Sequence, residues 1–384
     1  MDLTAPGATA ATRAKPAKTR TVPRGVPAAS FVLGGTVLSL VGLTWDVQWH
    51  NDVGPDTFFT LPHLLLYSGS AFSGLASLFV VLATTAAQRA GRPVDPLVGG
   101  RAVGVFGRTF AAPVGYLISG IGAASFLLYG LWDQWWHGLY GFDAVISSPP
   151  HIGLLLSVTI TMVGAVMVFA AVRAQRWGAA WTLISLAVLL VFSMVTALGL
   201  QQVNAGVVDA VTVGATFLSV LFVVMGARVL DRPGGALGVT VVVALVQAVF
   251  WWFSPWASRV YAEAIGLPMR DKVSLVPSLP ALVPMCLIAV GLVVEAVFLL
   301  ARRGNRSMKL SGLVAGGVGG LLVAGLDPLQ RAWLYSIGLP PASEVVATAV
   351  AGAVFGVAAG FLGVRFGGML RHLAPVQDDR AVAA

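Results

Sequence analysis

Residues 178–199 read Gly-Ala-Ala-Trp-Thr-Leu-Ile-Ser-Leu-Ala-Val-Leu-Leu-Val-Phe-Ser-Met-Val-Thr-Ala-Leu-Gly, with no charged side chain. A helix needs about 20 apolar residues to cross a bilayer, whereas a barrel strand needs about 10 in an alternating pattern. Backbone in hydrocarbon must satisfy its own N–H and C=O groups, so an unbroken run of this length reads as an α-helix. The same signature recurs along the chain. Apolar runs fall at about 28–50, 60–87, 109–137, 149–172, 178–199, 207–229, 235–256, 276–301, 308–326 and 344–364. The expected fold is all-α, a polytopic integral membrane bundle of about ten helices.

Composition agrees. The 384 residues are 57% hydrophobic and only 10% charged, and the mean hydropathy is +0.85. Soluble domains carry about 25% charged residues. A soluble globular enzyme, a disordered regulator and a disulfide scaffold are excluded. Cys286 is the one cysteine and lies inside an apolar run, so it makes neither an internal disulfide nor a metal site by itself.

The net charge of +8 is a matter of topology. With the N-terminus inside, only Arg259, Arg270, Lys272 and Arg331 of the 24 Lys and Arg residues fall in outer segments. This asymmetry follows the positive-inside rule, places both termini in the cytoplasm of a multi-pass cell-membrane protein, and argues against nucleic acid as a partner. Residues 1–27 lack the apolar core of a signal peptide and read as a disordered basic cytoplasmic tail. Residues 28–172 form a duplicated four-helix unit, residues 173–366 a six-helix bundle, and residues 367–384 a second cytoplasmic tail. Asp46, Asp52, Asp56, Asp133 and Asp143 gather at the outer ends of the first four spans, where they favour cations.

An internal repeat carries the chemistry. Trp45-Asp46-Val47-Gln48-Trp49-His50 is followed by Gly54, Asp56 and Pro62-His63. Trp132-Asp133-Gln134-Trp135-Trp136-His137 is followed by Gly141, Asp143 and Pro150-His151. Four of the five histidines lie in these two units, and the fifth is His372. Asp46 and His50 are four residues apart and share a helix face. His63 opens the next span after Pro62, which suits a first helical turn. A short outer turn can therefore bring Asp46, His50 and His63 together, and likewise Asp133, His137 and His151. Two imidazoles and a carboxylate are a common set of ligands for copper, zinc or non-haem iron. Asp56 and Asp143 are candidate supporting partners or fourth ligands, and Trp49 and Trp136 candidate neighbours of the ligands. The tryptophans also fit an interfacial aromatic belt.

These spacings resemble the PmoC subunit of the copper membrane monooxygenases, the family of particulate methane and ammonia monooxygenase. That subunit carries Asp-x3-His-x12-His on consecutive transmembrane helices, matched here by Asp46, His50 and His63. Its second site, Asn-x3-His-x13-His, is matched by Asp133, His137 and His151, with Asp in place of Asn. The resemblance covers about residues 28–172. It implies paired copper sites on the non-cytoplasmic side, oxygen activation, and hydroxylation of a small apolar substrate. The family enzyme assembles with other membrane subunits as a trimer, so it implies such subunits or a homo-oligomer as partners, beside the lipid bilayer. The chain departs from the family in its six further spans and in having no soluble domain.

Rival functions use the same residues. A copper or zinc transporter or metallochaperone would collect metal without redox chemistry, but needs polar residues along a path. A b-type cytochrome would use the four histidines for haem, which leaves the aspartate before each first histidine without a role. A structural scaffold would leave the repeat as an interfacial motif.

In the C-terminal half, Arg259 leads to Gly266-Leu267-Pro268 and Arg331 to Gly338-Leu339-Pro340. Both read as re-entrant or interfacial outer loops. Glu263, Asp327 and Glu344 would pair with these arginines or line an entry path. Glu295 would pair with Arg302 or Arg303 near the inner end of the eighth span, or relay protons. Gly312 to Gly320 and Gly352 to Gly360 predict close helix packing.

Overall fold

The structure, a computed structural model, describes residues 25–141, 148–271, 273 and 276–374. Asp143, Lys272 and most of both predicted tails lie outside the described residues. The chain forms an all-α polytopic bundle. Its helices are α1 (Val26–Asp52), α2 (Leu61–Arg89), α3 (Val114–Tyr140), α4 (Pro149–Ala171), α5 (Arg176–Leu198), α6 (Ala210–Leu230), α7 (Gly235–Ile265), α8 (Ser278–Leu282), α9 (Leu287–Arg303), α10 (Met308–Tyr335) and α11 (Ala342–Arg371). Among the described residues, nine are long and apolar enough to cross a bilayer, and α8 and α9 are not among them.

The apolar run that opened the reading is α5. It is apolar on every side, and such a helix belongs in the interior. Leu186, Leu190, Phe192 and Met194 are fully buried, packed among α1, α4, α6 and α7. The outer helices turn apolar side chains outward, among them Phe79, Leu128 and Val354.

The duplication extends from the site motif into the packing. In α1, a side chain on Gly35 would collide with Gly69 and Ser73 of α2. In α3, one on Gly122 would collide with Ser157 and Thr161 of α4. Gly35 and Gly122 each lie 11 residues before the aspartate of their unit, and each partner pair lies 6 and 10 residues after its second histidine. Small residues at these points let the two backbones of each hairpin approach closely, which fixes the relative height of the ligand-bearing helix ends. The predicted glycine packing forms between α10 and α11: Gly316 meets the Gly356 carbonyl, and Gly320 that of Gly352.

Several expectations are corrected. The third apolar run starts at 109, but β2 (Phe110–Pro113) pairs there with β1 (Ala102–Val105) in an antiparallel hairpin. Thr85 of α2 ties this hairpin down, since its hydroxyl accepts from Ala111 N–H. The eighth run is not one helix. Pro280 and Pro284 lack the N–H a continuous ladder needs, and the chain breaks between α8 and α9. The carbonyls freed by the break are capped by amides: Gln247 donates to those of Pro280 and Val283, and Gln330 to those of Ala281 and Val283.

Arg259 and Arg331 do not lie in loops. They belong to the final turns of α7 and α10, which run past their internal Pro255 and Pro328. The apolar runs stop where charge begins, but the helices continue. Arg331 bridges Asp327 at 2.9 Å and Asp209 at 2.7 Å. Glu295 pairs with neither Arg302 nor Arg303. Its carboxylate accepts from the N–H groups of Gly234 and Ala236 at 2.9 and 3.1 Å, satisfying donors that a helix start leaves open.

Candidate metal centre

Each candidate centre is built at the turn of one helical hairpin. In the first, α1 carries Asp46 and His50 on one face of its last two turns. The chain then passes through Asp56 and Thr57 and enters α2, where His63 stands in the first turn. Thr60 shapes that turn. Its hydroxyl accepts from Thr57 N–H at 2.7 Å, and its own N–H donates to the Thr57 carbonyl at 3.0 Å.

Four side chains converge there. His63 Nε2 lies 3.0 Å from Asp46 Oδ1 and 3.4 Å from Asp56 Oδ2. His50 Nε2 lies 3.7 Å from Asp46 Oδ1 and 3.2 Å from Asp56 Oδ2. Asp56, read from the sequence as a supporting partner or fourth ligand, stands inside the group. All four donor atoms lie within 4.8 Å of one another. A tetrahedral centre with ligand bonds of about 2.0–2.1 Å has ligand-to-ligand edges of roughly 3.3–3.4 Å. The four measured N–O distances bracket that value.

The second hairpin repeats the arrangement with Asp133 and His137 on α3 and His151 in the first turn of α4. His137 Nε2 and His151 Nε2 lie 3.3 and 3.4 Å from Asp133 Oδ1 and 3.4 Å from each other. This nearly equilateral triangle has the dimensions of one face of a tetrahedral site.

The hydrogen bonds around the rings say what these atoms want. His63 Nδ1 lies 2.9 Å from the Thr57 carbonyl, and His137 Nδ1 lies 2.9 Å from the Gly141 carbonyl. A carbonyl can only accept, so Nδ1 carries the hydrogen in both rings. In a neutral imidazole Nε2 is then a lone pair, and it points at a carboxylate. Asp46 Oδ1 and Asp133 Oδ1 are buried and accept no hydrogen bond. A metal ion or a second ring proton placed between these facing lone pairs would balance them. Holding Nδ1 to a carbonyl is also how metal-binding histidines are commonly oriented. Gly141 has a φ of +82°, a conformation open to glycine, and this turns its carbonyl onto His137. Two Asp/His groups on this chain can thus hold a metal ion.

The groups are neighbours. Asp46 interacts electrostatically with His151, and Asp133 with His63. Tyr67 stands between them, stacked on His63 at 6.0 Å and packed against Phe126 of α3 at 5.8 Å.

The tryptophans divide. Trp49 is fully buried, lies against Tyr261 of α7 at 4.9 Å, and donates to the Pro55 carbonyl. Trp45 meets Phe253 and Tyr261 edge-on. These two wall the first group toward α7. In the second hairpin, Trp136 packs on Tyr140 at 4.6 Å, while Trp132 and Trp135 are exposed, as an aromatic belt requires.

Residues beyond the motif hold the site end of α1. Gln48 donates to Asp52 Oδ2 and accepts from Ser278 N–H, each at 2.9 Å. Asn51 donates to Ser278 Oγ. Arg270 donates from its backbone to the Asp52 carbonyl and from Nε to the Val53 carbonyl. The C-terminal half thereby fixes the helix end that carries Asp46 and His50. No family model, curated protein or solved structure matches the chain.

Proposed function

We propose that the chain is a copper-binding integral membrane protein of the kind it resembles, the PmoC subunit, with two metal centres at its non-cytoplasmic face. The observation that carries this reading is the closure of both repeat units to ligand spacing, with Nε2 lone pairs turned onto unpartnered carboxylate oxygens. Asp46, His50, Asp56 and His63 would hold one ion, and Asp133, His137 and His151 another. Imidazole and carboxylate donors suit copper, zinc and iron, and copper(II) binds such sites most tightly of the divalent series. Bound copper would supply one-electron and oxygen chemistry.

The protein's own part is positioning and water exclusion. The Thr57 and Gly141 carbonyls orient the rings, the two aspartates offset the ion's charge, and Trp45, Trp49 and Tyr261 keep one flank dry. Oxygen-dependent hydroxylation of a small apolar substrate drawn from the bilayer is the reaction this arrangement fits. It is favoured over metal transport because each hairpin closes beneath its site, first with apolar Leu40, Leu43 and Phe126 and then through Gly35 against Gly69 and Gly122 against Ser157.

Electron paramagnetic resonance of the copper-loaded protein in lipid tests both halves. A copper(II) signal with splitting from imidazole nitrogen, bleached by reductant and restored by air, is expected. Zinc retained under excess copper would contradict the copper assignment. A reduced form that stays silent in air would contradict oxygen chemistry and leave metal carriage.

A further inference from the structure

A cavity of about 560 Å³ lies at the opposite end of the bundle from the metal groups. Its position follows from the chain path. Gly100, in the connection from α2 to α3, touches Leu373 and Ala171, while the metal groups stand at the other ends of α2, α3 and α4. The cavity opens to the surface between the end of α6, the start of α10 and the end of α11.

Its polar lining is cationic. Arg228, Lys309 and Arg365 line it together with His372 and Ser307, and among the described residues no carboxylate does. The nearest acid described, Asp231, is already shared. It pairs with Arg228 at 3.2 Å, with Arg302 at 3.9 Å and with Arg371. One carboxylate facing three guanidinium groups leaves positive charge over. Among the described residues, no carboxylate lies within ion-pair distance of Lys309 or Arg365. The start of α10, a helix of 28 residues, adds its partial positive charge.

The positive-inside rule accounts for basic residues at this end, but not for their gathering around a cavity with an apolar rim. Phe361 and Met369 line that same cavity and are 41% and 59% exposed. Lys309 and Arg365, exposed at the mouth of the cavity, beside the apolar Phe361 and Met369, match a molecule with an anionic head and hydrocarbon tails. Basic pockets between transmembrane helices are suited to such headgroups.

We propose that this cavity binds the headgroup of an anionic phospholipid. Its phosphate would lie between the Lys309 ammonium and the Arg365 guanidinium, and its acyl chains along Phe361 and Met369. A guanidinium and an ammonium supply the charge-assisted donors a phosphodiester accepts. Free phosphate shares this chemistry but gains nothing from the rim.

Native mass spectrometry of the purified full chain with equimolar phosphatidylglycerol and phosphatidylcholine tests the proposal. The wild type should retain phosphatidylglycerol. Lys309→Gln/Arg365→Gln should lose roughly 10- to 30-fold of that preference, at the usual contribution of one basic residue near a lipid surface. Metal content, read at the opposite end, reports that the variant is folded. Lys309→Gln alone, at an exposed position, gives a milder variant with a smaller loss. Equal retention of the two lipids by the wild type, or an unchanged preference in both variants, would overturn the proposal. So would a lipid-indifferent protein whose melting temperature rises with millimolar inorganic phosphate in the wild type only, which would assign the site to the free anion.

Discussion

At His63 the two ring nitrogens face different partners, and the difference defines the centre. Nδ1 is committed to the Thr57 carbonyl at 2.9 Å, which turns Nε2 to Asp46 and Asp56. The carbonyl is held by the Thr57–Thr60 turn rather than by His63 itself. Thr60→Val removes the hydroxyl that accepts from Thr57 N–H, keeps the side-chain shape and leaves every ligand in place. Loss of such supporting partners commonly costs 10- to 100-fold in metal affinity. Competition with a chelator should show a weakening of that order at the first centre and none at the second. Equal weakening at both, or none at either, would remove Thr60 from the account.

The gathering of the six motif residues into two groups that could hold a metal ion was legible in the sequence because helix geometry is local. A four-residue step fixes a face, and a proline fixes where the next helix begins. The supports of α1 were not legible. Gln48 meets Ser278 across 230 positions, and Arg270 comes from another loop altogether, so no periodicity in α1 announces either. Thr57 left only a faint trace, a Thr-x-x-Thr step before Leu61-Pro62.

At the scale of elements, the break between α8 and α9 shows what hydropathy cannot see. Residues 276–301 are apolar enough to look like one span, yet two prolines and two distant glutamines decide the geometry. The prolines were visible. Gln247 and Gln330 were not, because a single polar residue inside an apolar run carries no address. Replacing Gln330 with Ala takes the amide donor from the Ala281 carbonyl, at a cost of about 1–3 kcal/mol for an unsatisfied group, whereas replacing Gln247 removes two hydrogen bonds from carbonyls that keep another donor. Thermal unfolding in detergent should show each variant destabilised. The pair should lose more than the sum, since only the double variant leaves the Val283 carbonyl without either amide and sites sharing a partner are not additive. Strict additivity would contradict a shared cap. The strand pair 102–113 escaped notice for a related reason: its apolar residues merge with those of α3, and only β2's pairing with β1 separates them.

For the whole molecule, the two hairpins α1–α2 and α3–α4 form a duplicated pair whose sites share one end, while the basic cavity occupies the other. Charge asymmetry supports an orientation with the metal groups outside. A Cys286→Ser background lets this be tested with single cysteines at Ala205, in the turn before α6, and at Asn305, in the turn before α10. A membrane-impermeant maleimide added to intact cells should label position 205 and spare position 305. The reverse pattern would invert the bundle and place the metal groups in the cytoplasm. The bundle class was legible from composition alone, since a chain with 10% charged residues has few alternatives. The way α7 and α8 brace α1 was not, because that contact joins halves that share no repeat.

The central claim is that the two hairpins each hold a metal ion through the repeated aspartate and histidines. Metal analysis by mass spectrometry of the protein purified in lipid tests it most directly, with His50→Ala, His137→Ala and the double variant measured alongside. The account predicts two ions per chain in the wild type, one in each single variant and none in the double variant, with copper as the ion. A wild type that binds no metal after reconstitution, or a double variant that keeps both ions, would contradict it.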